Sequence, residues 1–112
     1  MPHLIIEYAA PLAQDVDMQA LCEAAFDGAK ATALFNPTAI KARAHPVDAY
    51  WIGGGKNPFV HINAKILPGR TTAQKKALSQ SVFDAVSALL PADVALSVDI
   101  NDLDADVYTK RA

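Results

Sequence analysis

Residues at the start of the chain alternate between two faces. Leu4, Ile6 and Tyr8 share one; His3, Ile5 and Glu7 share the other, so Pro2 to Tyr8 reads as a strand. Ala9 to Gln14, with Pro11, is a connection. The period then lengthens. Met18, Leu21, Cys22, Ala25 and Ala29 draw one helical stripe, with Asp15 or Asp17 as its cap. Gly28 weakens this helix, and Phe35-Asn36-Pro37 ends it. Thr38 to Trp51 reads as a second extended segment, in which Lys41, Arg43 and His45 share a face and Pro46 argues for a bulge or an edge. Gly53-Gly54-Gly55 is read as a hairpin connection; it lacks the flanking pattern of a phosphate loop.

Alternation returns at Phe59 to Leu67, with Val60, Ile62, Ala64 and Ile66 facing one way. Pro68-Gly69-Arg70 is a turn, and Thr71 with Gln74 forms a capping box. The helix it opens has the stripe Leu78, Val82, Ala85, Val86 and Leu89, and Pro91 stops it. Val94 to Ile100 is a fourth strand, and the tail from Asn101 runs acidic and then basic, on the surface or against a neighbour.

The element order is thus β-α-β twice. Such units favour parallel pairing through a crossover. Two of them side by side predict an α+β fold: a four-stranded mixed sheet, both helices on one face, as a single domain over residues 1–112. The other sheet face is left bare, and apolar positions on it predict a cover of further copies of the chain.

Composition narrows the function classes. The chain has 112 residues, 52% hydrophobic and 20% charged, an ordinary globular balance. A net charge of -2 gives no case for nucleic acid, and an anionic ligand has to be met by a local cluster of cations. Cys22 is the only cysteine, so no internal disulfide forms, and it reads as a small core residue. No run approaches a membrane span and no signal peptide opens the chain, so a cytoplasmic location is expected. No His, Cys or carboxylate cluster has metal-ligand spacing, and no metal is expected.

Pro2 is the residue with latent chemistry. A small second residue favours removal of Met1, which turns Pro2 into a terminal secondary amine. Such a group titrates near neutrality, and burial disfavours its cation, so it can act as a general base. On the Met-Pro dipeptide alone, the ordinary reading is a proline that opens a strand.

The longer stretch Met1-Pro2-His3-Leu4-Ile5-Ile6-Glu7 resembles the N-terminus of the tautomerase superfamily, and within it the 5-carboxymethyl-2-hydroxymuconate isomerases. Three further stretches carry the resemblance. They are Ile40 to Asp48 (I-R-x-R-x-H-x-V-D in the family), Phe59 to Ile66, and Gly69-Arg70-Thr71. The resemblance implies the fold of the macrophage migration inhibitory factor group, assembled as a homotrimer. It implies a cofactor-free enol-keto tautomerisation in bacterial breakdown of aromatic acids such as homoprotocatechuate. Pro2 would be the acid/base, and Lys41, Arg43 and Arg70 would bind the substrate carboxylates. Lys41 departs from the family arginine: it keeps the charge but loses the bidentate fork.

For the other candidates the resemblance adds less. His45 is expected to bond Asp48, His3 and His61 to be structural, and Tyr50, Trp51 or Phe59 to pack in the core or between subunits, with a wall for the amine as the other use for one of them. For Lys41 and Arg43 the plain alternative is a solvated face paired with Glu7 or Asp48. Two further functional readings stand beside the first. One is another tautomerase reaction, such as that on phenylpyruvate enol. The other is a non-catalytic trimeric binding protein, if Met1 is retained and Pro2 stays a tertiary amide.

Overall fold

A computed structural model describes residues 1–112. The chain runs β1 (His3–Ala9), a 3-10 turn (Ala10–Gln14), α1 (Met18–Ala31) and a second 3-10 turn (Pro37–Ala39). It continues through β2 (Lys41–Val47), β3 (Phe59–Ile66), α2 (Thr72–Ser87) and β4 (Ala95–Asp102). The sheet order is β2-β1-β3-β4. β1 pairs parallel with β2, β3 pairs parallel with β4, and the two units meet where β1 runs antiparallel to β3. This is the mixed four-stranded sheet that the repeated β-α-β pattern predicts.

Alternation decides which way the strands face. Leu4, Ile6, Ile62, Ala64 and Ile66 are fully buried and join Leu21, Ala25, Ala29, Leu78, Val82 and Val86 of both helices in one core. Both helices therefore cover the same sheet face. Burying each large aliphatic contributes about 1.5–3 kcal/mol.

The opposite face differs from the expectation. It carries His3, Glu7, Lys41, Arg43, His45, His61, Asn63, Lys65, Ser97, Asp99 and Asn101, with Ile5, Ala9, Val47, Phe59 and Ala95 as its apolar residues. The strands spend most of their apolar positions on the helix side, so what remains open is mainly polar. Part of it bonds to itself: Asn101 donates to Asn63 and Asp99, at 2.9 and 3.0 Å.

Local chemistry sets the boundaries. Asp17, not Asp15, caps α1, its Oδ1 accepting from the amides of Gln19 and Ala20. α1 ends at Ala31, before Phe35, where Ala33 takes a left-handed backbone with φ of 58°. The Thr71–Gln74 capping box forms reciprocally at the start of α2. That helix stops at Ser87, which leaves Leu89 exposed rather than on the core stripe.

The second extended segment is shorter than its pattern suggests. Asn36 accepts from the Thr38 amide and starts the 3-10 turn, so β2 begins only at Lys41. Pro46 is tolerated because β2 is an edge strand. Gly53 and Gly54, both at positive φ, close a tight turn between Ile52 and Gly55. It is not a hairpin between β2 and β3, because β1 lies between them. No helix is long and apolar enough to cross a membrane.

Candidate active site

The start of β1, the start of β2, the end of β3 and the end of β4 share one end of the sheet. The chain's terminal amine lies there. It donates to the carbonyl of Ala39 at 2.8 Å, and the Pro2 carbonyl accepts from the Lys41 amide at 2.9 Å. The 3-10 turn makes the first bond available by aiming Ala39 at the terminus. Met1 and Pro2 are both buried. Burial pushes the pKa of the amine below its usual value near 8.0, and Lys41, Lys110 and Arg70 push it further the same way.

Those three cations reach the amine from three segments. Lys41 opens β2, and its Nζ donates to the carbonyls of Ala39 and Ala112, each at 3.2 Å. Arg70 follows Gly69, whose φ of +118° turns the loop after β3. Its guanidinium donates to Leu34 O at 2.8 Å and Leu67 O at 3.5 Å and lies 4.8 Å over the Phe35 ring. With five N–H donors in the fork, the side chain is anchored and keeps donors for an anion. The capping box occupies two of the amides beside it, the Thr71 and Gln74 N–H groups. Lys110 comes from the tail, which folds onto its own chain: Leu103 N donates to Ile66 O, and Tyr108 Oη lies 2.8 Å from His3 Nε2.

Arg43 stands apart. It is exposed on the open face, it is not among the cations acting on the amine, and its NH1 lies 3.2 Å from His3 Nδ1. Arg43 and Lys41 do share a cleft of about 420 Å³ between α1 and β2, which Phe26 and Glu23 also line. Pro2 lines no cavity of the chain. Neither residue pairs with Glu7 or Asp48, since Lys75–Asp102 is the chain's only salt bridge, while Arg43 does lie on a solvated strand face.

The remaining candidates fall elsewhere. His45 is exposed and makes no hydrogen bond to Asp48, whereas His61 Nδ1 meets Ser97 Oγ at 2.6 Å. Tyr50 packs on Phe59 at the far end of the sheet and Trp51 is 70% exposed, so none of the three walls the amine. Phe35, Tyr108 and Lys110 take part at this end instead. Only the folded path of the tail and of the segment before β2 brings them in. Cys22 is half-buried, and burial followed by Glu23 pushes its thiol pKa up, which keeps it protonated. No group of three or more His, Cys, Asp or Glu is placed to hold a metal ion.

Residues 2–112 match the model of the family described as 5-carboxymethyl-2-hydroxymuconate isomerase. The chain is 27% identical over 110 residues to the 5-carboxymethyl-2-hydroxymuconate Delta-isomerase of Escherichia coli, covering 92% of this chain and 87% of that protein. A crystal structure of a 5-carboxymethyl-2-hydroxymuconate delta-isomerase superposes with a TM-score of 0.86 at 25% identity, over 100% of this chain and 88% of the other. The W0 fused 4-OT wild type symmetric trimer shares the fold, with a TM-score of 0.82 at 18% identity over 97% and 93% of the two chains.

Proposed function

The chain belongs to the 5-carboxymethyl-2-hydroxymuconate isomerase family and is an isomerase of the tautomerase fold; from that premise we propose that Pro2, freed by removal of Met1, is its general acid/base. The substrate is a hydroxymuconate-type unsaturated 2-hydroxy acid with two or three carboxylates. The reaction serves bacterial catabolism of aromatic acids in the cytoplasm.

One observation carries the reading. The terminal amine sits in a buried place where desolvation and three cations hold it toward its neutral form. Removing Met1 shifts the terminus by one residue, about 3.8 Å between Cα atoms, to Pro2, which is itself fully buried. A neutral secondary amine there takes the proton of the substrate's 2-hydroxyl. The electron pair of that O–H bond becomes the second bond of the 2-oxo group, and the double bonds shift along the chain. The ammonium then returns a proton to a carbon further along the conjugated system. Amine and enzyme end as they began, so this shuttle calls for no cofactor.

The cations that depress the amine also attract the substrate. Arg70, held over Phe35, can grip a carboxylate or the 2-oxo oxygen where charge builds up. Lys41 supplies a point charge beside it, and Arg43 takes a more distant carboxylate from the open face. Three chains assemble around those open faces. The support is the symmetric trimer with the same fold and a sheet face that neither helix of its own chain covers.

The test has two steps. Intact mass of untagged protein is expected to show loss of Met1. Pro2→Ala, which keeps a primary amine but not the pyrrolidine, is expected to lower kcat on a carboxylated dienol by about 10²-fold, in the range of general acid–base contributions. Retained Met1, or unchanged turnover, removes Pro2 from the role. Retention would favour the binding-protein reading, for which the buried Met1 and its bond to Ala39 are the specific observation.

A further inference from the structure

We propose that His3 is a positioning residue for Arg43: its imidazole, neutral with the proton on Nε2 and braced by Tyr108, fixes the guanidinium where a substrate carboxylate is met. This rests on the reading above, in which Arg43 binds substrate.

The hydrogen bonds fix the tautomer. Arg43 is a donor only and stays protonated, so His3 Nδ1, 3.2 Å from NH1, has to accept. The ring proton is then on Nε2, which donates to Tyr108 Oη at 2.8 Å. Tyr108 arrives because the tail turns at Asp104, whose carbonyl accepts from the Val107 and Tyr108 amides at 3.2 and 3.1 Å. The two rings meet edge-on, with planes at 75°.

Arg43 has need of a brace. It is exposed on an edge strand and has no carboxylate partner in the chain. A long side chain so placed samples many rotamers, and fixing one in advance lowers the entropy lost when an anion binds.

The charges around the ring suit the neutral form. Burial, then Arg43 and Lys41 of β2, the terminal amine and Lys65 of β3 push its pKa below the usual value near 6.5. Glu7, two residues on along β1, makes no bond to the ring. A proton on Nδ1 turns the acceptor into a donor facing a donor, and Arg43 is released. Substrate affinity therefore falls on the acid side while the chemical step is spared.

Two measurements decide. ¹⁵N-detected NMR of the His3 ring at pH 7.5 is expected to show Nδ1 bare and Nε2 protonated, and Arg43→Met to raise the His3 titration midpoint. On the dienol substrate, His3→Leu is expected to raise KM about tenfold with kcat within about threefold, one charge-assisted hydrogen bond's worth. His3→Asn, whose Oδ1 can stand where Nδ1 accepts, should restore KM to within about threefold and remove the acid fall in 1/KM. A proton on Nδ1, an unmoved midpoint in Arg43→Met, or a wild-type KM in folded His3→Leu overturns the proposal. If wild-type protein turns over no dienol acid, the functional reading fails instead, and the ring tautomer and midpoint shift still decide whether His3 holds Arg43.

Discussion

Gly28→Ala is expected to destabilise the protein, although a helix interior ordinarily gains from it. Gly28 is buried in α1 where that helix crosses α2. A Cβ added there would sit 2.9 Å from the carbonyl oxygen of Ser81 and 2.9 Å from the Cα of Val82. Both obstacles are backbone, so no rotamer change relieves them, and the helices have to separate by several tenths of an ångström. Overpacking of this kind costs about 1–3 kcal/mol. Separation also stretches the bond from Ser81 Oγ to Gly28 O, now 2.7 Å, a bond of about 1 kcal/mol. Against this stands the helix preference for Ala over Gly, about 1 kcal/mol. The net is a loss of about 1–3 kcal/mol, or a Tm lower by about 4–12 °C at this chain length. Urea unfolding followed by circular dichroism, at one fixed protein concentration, measures it. Ser81→Ala, which loses the bond without a clash, should cost about 1 kcal/mol. A Gly28→Ala protein as stable as wild type would refute the argument, because the helix preference would then have exceeded a contact that relaxes cheaply.

Other expectations follow from single contacts. Arg70→Lys cannot reach both Leu34 and Leu67 carbonyls or stack on Phe35 in the same way; it should lose about 1–2 kcal/mol of stability and raise KM more than it lowers kcat. Thr71→Ala removes the acceptor for the Gln74 amide and should cost about 1 kcal/mol in chemical denaturation. Asp102→Ala breaks the chain's one salt bridge, yet both partners are solvated, so the loss should stay under about 1 kcal/mol and shrink with added salt. The lowered pKa of His3 means that unfolded chain binds protons which the folded chain refuses. Stability should therefore be unaffected by this group above pH 7 and fall as pH drops below about 6.5, until the folded pKa is passed; His3→Asn should flatten that part of the profile.

What was legible in the sequence was local. Period-two runs in β1 and β3 fixed both which residues are buried and which share a face, because the side-chain period of a strand leaves no freedom. The capping box at Thr71 and Gln74 could be read because its geometry spans three residues. Lys41, Arg43 and His45 do share a face as their alternation says. Yet sharing a face is not sharing a site: Arg43 is two residues, about 6.6 Å, further along the strand than Lys41, and its charge falls on His3 rather than on the amine. Phe35, Tyr108 and Lys110 were not legible. Each depends on where an irregular segment lands, and nothing in the local pattern of the tail says that Asp104 starts a turn toward His3. The polar open face was misjudged for a related reason: an alternating strand shows one apolar set, and here the helices take it.

The two β-α-β units can be compared at the prolines that precede their first strands. Pro58 stands before β3 as Pro2 stands before β1, and its carbonyl accepts from the Ala95 amide at 3.1 Å just as that of Pro2 accepts from Lys41 at 2.9 Å. The backbone of the second unit thus repeats the first. The Pro58 nitrogen is acylated by Asn57 as that of Pro2 is by Met1, so the second unit stays without a basic nitrogen even where loss of Met1 frees Pro2. Its surroundings differ as well. The cavity of about 200 Å³ beside it is lined by Asp15 and Asp93 with only Lys56 opposed to them, whereas Lys41, Arg70 and Lys110 act on the terminus. What separates the two ends is the Met1 terminal amine and the sign of the nearby charge; the strand geometry is common to both.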